Sequence, residues 1–127
     1  MRFFMAVLLL LAGTGVQAAD WVLVSQISNN NREVDKSTIR GQKPVLGFTS
    51  RHVIDDANEL KIGRQPVKYL VMEQTVDCEK RTILLSSSEA RGVDGNTITK
   101  QRLFAQEANV VLDGSVDEDV LKFVCAQ

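Results

Sequence analysis

Apolar side chains recur at every second position along much of this chain, which is the spacing of half-buried β-strands. Residues 21–27 (WVLVSQI) are dense in β-branched and aromatic side chains, and the asparagine cluster at 29–31 favours a turn. Residues 32–35 can return as a second strand, so this segment predicts a β-hairpin. A short turn capped by a hydroxyl group is expected over Ser37–Ile39.

A third strand is predicted over residues 45–54, because Leu46, Phe48 and Ile54 share one face at period two. Residues 55–63 are polar and acidic and end in a glycine. They predict a loop or a short helical turn before the next strand.

Two further strands are predicted over residues 67–78 and 81–88, although Gln74 interrupts the apolar parity of the first. The Asp-Gly-Asn turn at 94–96 then introduces a strand over 97–104. Because short turns join these strands, the pattern predicts an antiparallel sheet of about five or six strands.

Near the C-terminus the apolar period changes to that of a helix. The segment Ser115–Glu118 matches a capping box, in which the serine hydroxyl accepts from the backbone three residues on. Acidic residues follow at once and Lys122 lies near the end, which suits the helix dipole. The apolar stripe comprises Val116, Val120, Leu121 and Val124. The predicted class is therefore α+β, an antiparallel sheet with a C-terminal α-helix.

The first 18 residues have the layout of a secretory signal peptide. Arg2 gives a positive start, residues 3–12 are apolar, and Val16–Ala18 places small residues where a signal peptidase reads them. A membrane-spanning helix needs roughly 20 apolar residues, and this run has about ten. Cleavage is expected between Ala18 and Ala19, and the product is expected to be periplasmic or secreted.

Composition and charge narrow the partners that this chain is expected to have. The formal net charge is −1, which disfavours nucleic-acid binding, since nucleic-acid binders usually carry a clustered basic excess. No cysteine precedes Cys78, so no lipid anchor is expected, and no second apolar run is long enough to span a membrane. Residues 19–127 are predicted to form a single domain.

The chain has two cysteines, Cys78 and Cys125, and export makes a structural disulfide between them the favoured interpretation. The bond would close a loop of about 48 residues, for which chain entropy gives roughly 4 kcal/mol as an upper-end value. A redox-active pair usually has the C-x-x-C spacing, which is absent here. A metal site would need further ligands, for which His52 and Asp77 are the candidates, and no ligand spacing supports it.

The polar residues of the chain do not predict an active site. His52 shares the parity of the third strand's apolar side chains and is interpreted as a packed or edge-strand histidine. The acids at Asp55, Asp56 and Asp77 are expected in loops or at a strand end, and the run Ser86–Ser88 lacks the glycine elbow of a hydrolase nucleophile. We therefore predict no enzyme and no cofactor.

A candidate partner-binding patch is formed by the most concentrated basic residues, Lys61, Arg64 and Lys68, which could meet an acidic partner. A solvated loop and strand edge is the simpler interpretation of the same residues. Trp21 and Tyr69 could line a groove, but packing is again the simpler interpretation.

Four segments together make the chain resemble the surface-adhesin protein E family of exported bacterial domains. They are the early Trp21-Val22 strand, the run Val34–Arg40, the block Val76–Arg81 with the following Leu84–Ser87, and the ending Gly114–Val116 with Leu121–Cys125. The resemblance implies an antiparallel sheet, a C-terminal helix, a Cys78–Cys125 disulfide and dimerisation.

Members of that family sit on the outer membrane and bind host matrix proteins, whereas this chain lacks a lipidated cysteine. The first hypothesis for its function is therefore a non-enzymatic, exported binding domain with an unidentified protein partner. The alternatives are a cell-surface adhesin, a small envelope enzyme built around His52, and a structural or inhibitory partner of an envelope protein.

Overall fold

The structure is a computed structural model that describes residues 18–28, 30–104 and 107–127. The predicted signal peptide, apart from its last residue, lies outside the described residues. The elements are β1 Trp21–Ile27, β2 Asn30–Gln42, β3 Val45–Val53, β4 Lys61–Ile62, β5 Gln65–Pro66, β6 Tyr69–Asp77, β7 Thr82–Arg91, β8 Thr97–Arg102, β9 Asn109–Val110 and α1 Val116–Cys125.

The described strands form one seven-stranded antiparallel sheet and one small hairpin. The order across the sheet is β1-β2-β3-β6-β7-β8, and β9 pairs with the start of β7. The strands β4 and β5 pair only with each other. This architecture confirms the predicted α+β class with an antiparallel sheet and a C-terminal helix.

One face of the sheet, which we call the covered face, packs against α1. Its apolar residues under the helix form a buried cluster with the apolar stripe of α1 and with Val111. The sheet contributes Val34, Leu46, Phe48, Val76 and Ile83, and the helix contributes Val120, Leu121 and Val124. All three helical residues belong to the predicted stripe, so the 3.6-residue period correctly predicted which side of the helix faces the core.

A second, smaller apolar cluster lies beyond the reach of the helix. It consists of Ile54, Val67 and Ala90, with partly buried neighbours that include Leu60 and Leu70. Residues 55–68, which carry the β4–β5 hairpin, therefore supply apolar cover where α1 does not reach. The predicted loop over 55–63 thus ends in a short strand.

A β-bulge in β1 turns two consecutive side chains toward the helix. The register between β1 and β2 shifts between Leu23 and Ser25. As a result Val24 packs against the core, and the buried Ser25 hydroxyl donates a 2.7 Å hydrogen bond to Asp119 Oδ2. The bulge thus connects the first strand to the first turns of α1.

The helix begins and ends as its sequence predicts. The Ser115 hydroxyl accepts a 3.1 Å hydrogen bond from the Glu118 N–H, and Gly114 turns the chain with a φ of 76°. At the other end Cys78 and Cys125 form a disulfide, with their Cα atoms 5.9 Å apart. The predicted disulfide is therefore confirmed and joins the end of β6 to the last turn of α1.

Strand β2 is longer than the sequence indicated. The predicted turn at Ser37–Ile39 is an irregularity within β2, where the pairing with β3 shifts register between Asp35 and Arg40. The Thr38 hydroxyl accepts from the Thr49 N–H at 2.8 Å, so it replaces a lost backbone partner, as the hydroxyl-capped turn anticipated.

Candidate functional site

The opposite face of the sheet, which we call the open face, carries a cluster of one cation and two aromatic rings. The Arg51 Cζ lies 4.1 Å from the centre of the Trp21 ring and 4.6 Å from the centre of the Tyr69 ring. Its Nε and Nη2 both lie 2.7 Å from Glu33 Oε1. We call these four residues the arginine cluster.

Strand register explains why these residues meet. Glu33 and Arg51 are direct partners in the β2–β3 pair, so their side chains emerge side by side. Tyr69 pairs with Val53, two positions along β3 from Arg51, and comes diagonally within reach. Trp21 starts β1 and reaches across β2. Arg51 keeps 22% of its side chain exposed, so the cluster is partly accessible from solvent.

Charged and hydroxyl side chains continue the open face beside the cluster. Glu73 accepts a 2.9 Å hydrogen bond from the Thr49 hydroxyl and lies 3.4 Å from Arg40. Near the β2 irregularity, burial raises the pKa of Asp35, but hydrogen bonds from Ser37 and from the Asp20 N–H outweigh it. The net result is a pKa below the ordinary value, so Asp35 is a carboxylate at neutral pH.

The three residues of the predicted basic patch differ in their surroundings: two are exposed, and the third lies near a carboxylate. Lys61 lies in β4 and Arg64 in the turn to β5, and both are exposed. Lys68 follows β5, is half-buried, and has its Nζ 3.9 Å from Asp55 Oδ1. A role in partner binding stays a prediction for Lys61, Arg64 and Lys68 alike.

The candidate catalytic residues lie in separate places. His52 is half-buried on the covered face of β3, where burial and the neighbouring Arg32 lower its pKa and so favour the neutral ring. Asp77 accepts hydrogen bonds from the N–H groups of Glu79 and Lys80 in the β6–β7 turn. The Ser86 hydroxyl donates to the Glu73 carbonyl across a bulge, at 3.0 Å.

Within the described residues, no three or more His, Cys, Asp or Glu side chains come close enough together to hold a metal ion. No helix of the described part of the chain has the length and apolar character needed to cross a membrane.

The arginine cluster and the exposed cations of β8, Lys100 and Arg102, were not identified from the sequence. The residues of both groups are visible in the sequence, but their proximity in the fold is not, because it depends on which strands are neighbours in the sheet.

The fold and the disulfide define a class, an antiparallel sheet whose C-terminal helix is covalently tied to one face. Solved structures of Haemophilus influenzae protein E have this fold. One crystal form matches with a TM-score of 0.61 at 9% sequence identity, covering 89% of this chain and 91% of that one. Protein E from non-typeable H. influenzae matches with a TM-score of 0.58 at 10% identity, covering 89% of this chain and 79% of that one.

The chain therefore has a protein E-like fold, and at this identity the likeness concerns the fold alone. No family model matches the sequence. No curated protein matches it either. The expected resemblance is confirmed at the level of the fold.

Proposed function

We propose that this chain is a non-enzymatic, extracytoplasmic domain that binds another protein through its open face. The observation that carries the proposal is the arginine cluster. Trp, Tyr and Arg dominate the binding energy of protein interfaces, and here Trp21, Tyr69 and Arg51 lie together on a face that α1 leaves uncovered. Leu23, on the same face, is 49% exposed and extends the apolar contact area.

The proposed extracytoplasmic location is supported by the disulfide and by the N-terminal sequence. Structural disulfides persist in oxidising compartments, so the Cys78–Cys125 bond fits an extracytoplasmic location. The apolar residues 3–12 and the small-residue box at 16–18 favour export by a signal peptide into the periplasm or the medium. Function as a cell-surface adhesin is the finer alternative within this proposal.

The non-enzymatic part of the proposal is supported by what the candidate catalytic groups do. Asp77 and Ser86 make hydrogen bonds that shape a turn and a bulge, and Ser50 donates to Gln74 within the covered face. His52 contacts neither Asp77 nor Ser86 by a hydrogen bond in the described residues. These groups stabilise the sheet rather than converge on one point.

Photo-crosslinking in the producing cell tests the open face directly. A benzophenone amino acid placed at Leu23 is expected to give a discrete covalent adduct with another protein. The same amino acid at Glu79, an exposed turn residue, is the matched control and is expected to give none. The adduct at position 23 should weaken when Arg51→Ala is added. Absence of any adduct at position 23, both in the producing cell and when host matrix proteins are added to it, contradicts the proposal, and so do equal adducts at both positions.

Protease treatment of intact cells separates the adhesin alternative from a periplasmic function. Digestion of the chain on intact cells, with a periplasmic marker protected, favours the adhesin. Protection of the chain together with the marker contradicts the adhesin and favours a partner inside the envelope. Sedimentation of the purified protein tests the dimerisation that the family resemblance implies.

A further inference from the structure

Strand β8 presents an open edge to solvent. It is the last strand in the order of the described sheet, and only its inner side pairs with β7. The Leu103 N–H donates to the Ser86 carbonyl at 2.9 Å, which makes this an inwardly hydrogen-bonded position. Because such positions alternate in antiparallel pairs, Lys100 and Arg102 direct their backbone N–H and C=O groups away from β7.

The side chains along this edge are cationic on the open face. Lys100 pairs with Glu89 and Arg102 with Ser87, so both side chains point to the open face, and both residues are exposed. Glu89 is already engaged by Arg91 at 3.0 Å and by the Thr97 hydroxyl, and these hydrogen bonds lower its pKa. Neither Lys100 nor Arg102 forms an ion pair with another described residue.

On the other side of the same edge lies a groove of about 520 Å³, whose lining includes both apolar and polar side chains. Its walls come from the β4–β5 hairpin, from β6 and β7, and from the covered side of β8. The residues that line it include Ile62, Leu70, Ser88, Ala90, Thr99 and Gln101. Lys100 also borders it, and the exposed Lys61 adjoins Ile62, so two cations lie beside a groove that contains the apolar side chains of Ile62, Leu70 and Ala90.

We infer that the edge of β8 binds an extended acidic segment of a partner protein, which adds to the sheet as a further strand. Successive side chains of such a strand alternate between the two faces. Carboxylates would meet Lys100 and Arg102 on the open face, and apolar side chains would enter the groove. Backbone pairing supplies affinity and the two flanking surfaces supply specificity, as in other cases of strand addition.

A second copy of this chain fits the β8 edge poorly. Pairing of two β8 strands would place Lys100 and Arg102 of one copy beside those of the other, and like charges opposite each other are destabilising. Lysine on an edge strand also discourages non-specific pairing. An acidic strand fits this edge better, because its carboxylates would attract Lys100 and Arg102. The other edge, β1, is interrupted by its bulge and carries no cation.

The inference rests on the proposed function only in that the chain binds proteins, and a separate experiment tests it. The probe is a fluorescein-labelled hexapeptide of alternating aspartate and valine, whose length of about 20 Å matches β8. Binding to the full mature chain is measured by fluorescence anisotropy at two salt concentrations. Control peptides carry lysine in place of aspartate, or N-methyl groups on alternate residues to block strand pairing.

We expect the aspartate–valine peptide to bind, more weakly at high salt. The double variant Lys100→Glu with Arg102→Glu should weaken binding about tenfold or more, since attraction becomes repulsion at two sites. The matched control, Lys43→Glu with Lys80→Glu, changes two exposed cations elsewhere and should bind as wild type does. Lys100→Pro should bind less well than Lys100→Gln, because only the former removes the outward N–H.

Unchanged anisotropy with the wild-type chain overturns the inference, and so does equal affinity of the Lys100→Glu/Arg102→Glu variant. Binding that survives N-methylation also overturns it. Circular dichroism of each variant verifies that the fold is intact. If peptide binding fails while the adduct at position 23 persists, the β8 inference is wrong and the proposed function stands. If the adduct is absent while the peptide binds, the open face is not the binding surface and the β8 inference stands.

Discussion

The guanidinium group of Arg51 lies over the Trp21 ring, with 4.1 Å between Cζ and the ring centre. This contact joins β1 to β3 across the intervening strand, so it fixes the position of an edge strand that otherwise pairs only with β2. Trp21 is the only tryptophan of the chain, which makes the contact visible by fluorescence.

Arg51→Lys is expected to lower the free energy of unfolding by about 1–2 kcal/mol, because lysine has no planar group to stack on two rings and reach Glu33. Arg40→Lys is the matched control, since Arg40 has 62% of its side chain exposed and lies 3.4 Å from Glu73. That change should cost less than about 0.5 kcal/mol. Urea unfolding followed by Trp21 fluorescence measures both. Equal losses would mean that stacking contributes nothing.

Replacement of both Cys78 and Cys125 by serine is expected to lower the free energy of unfolding by roughly 4 kcal/mol, an upper-end value. The physical reason is the separation of 47 positions between the two cysteines, since the bond restricts a long loop in the unfolded chain. Urea unfolding with and without reductant measures the effect. The wild type should respond to reductant and the double variant should not. A wild-type midpoint that is indifferent to reductant would contradict the prediction.

Ser115→Ala is expected to destabilise the protein by about 1 kcal/mol, because the Glu118 N–H loses its side-chain acceptor. Ser115→Asp is the matched control, since aspartate accepts the same hydrogen bond and places a negative charge at the helix start. Thermal unfolding followed by far-ultraviolet circular dichroism compares the two variants. Similar losses for alanine and aspartate would show that the cap contributes little.

Stability is expected to fall in acid partly through Asp35. Burial raises its folded-state pKa, but the hydrogen bonds from Ser37 and Asp20 outweigh burial and hold the pKa below the unfolded value of about 3.9. The contribution to stability is therefore complete above the unfolded value and is lost as the pH falls through the folded-state pKa. Asp35→Asn should flatten the decline of unfolding free energy as the pH falls below about 4.

Asp56→Asn is the control for Asp35→Asn, because it removes a carboxylate from an exposed loop. Unfolding by guanidinium chloride at several pH values measures the free energy of unfolding of the wild type and of the Asp35→Asn and Asp56→Asn variants. A wild-type and an Asp35→Asn chain with parallel acid profiles would contradict the role given to Asp35.

Local patterns predicted the helix best, because capping and the apolar stripe involve residues close in sequence. Val116 begins α1 and Ser115 caps it, as the segment Ser115–Glu118 indicated. Gln74 interrupts the apolar parity of the predicted strand over 67–78. In the structure the Gln74 side chain lies on the covered face and accepts a hydrogen bond from the buried Ser50 hydroxyl. A period-two pattern of apolar residues does not predict that two polar side chains are buried together and hydrogen-bonded to each other.

The candidate site could not be predicted because its members are distant in the chain. Trp21, Arg51 and Tyr69 come from three strands, and only the pairing order brings them together. The basic patch is predicted from proximity in sequence, whereas Lys68 pairs with Asp55 and the exposed cations of β8 lie elsewhere. Strand pairing depends on tertiary packing, which one sequence does not display.

The two ends of α1 are attached by bonds of different strength. Cys125 is held covalently at the last turn, whereas the first turn is held by the Ser25–Asp119 hydrogen bond and the Arg81–Glu118 ion pair. If the hydrogen bond and the ion pair at the first turn break, the disulfide therefore still keeps the last turn of α1 beside the end of β6.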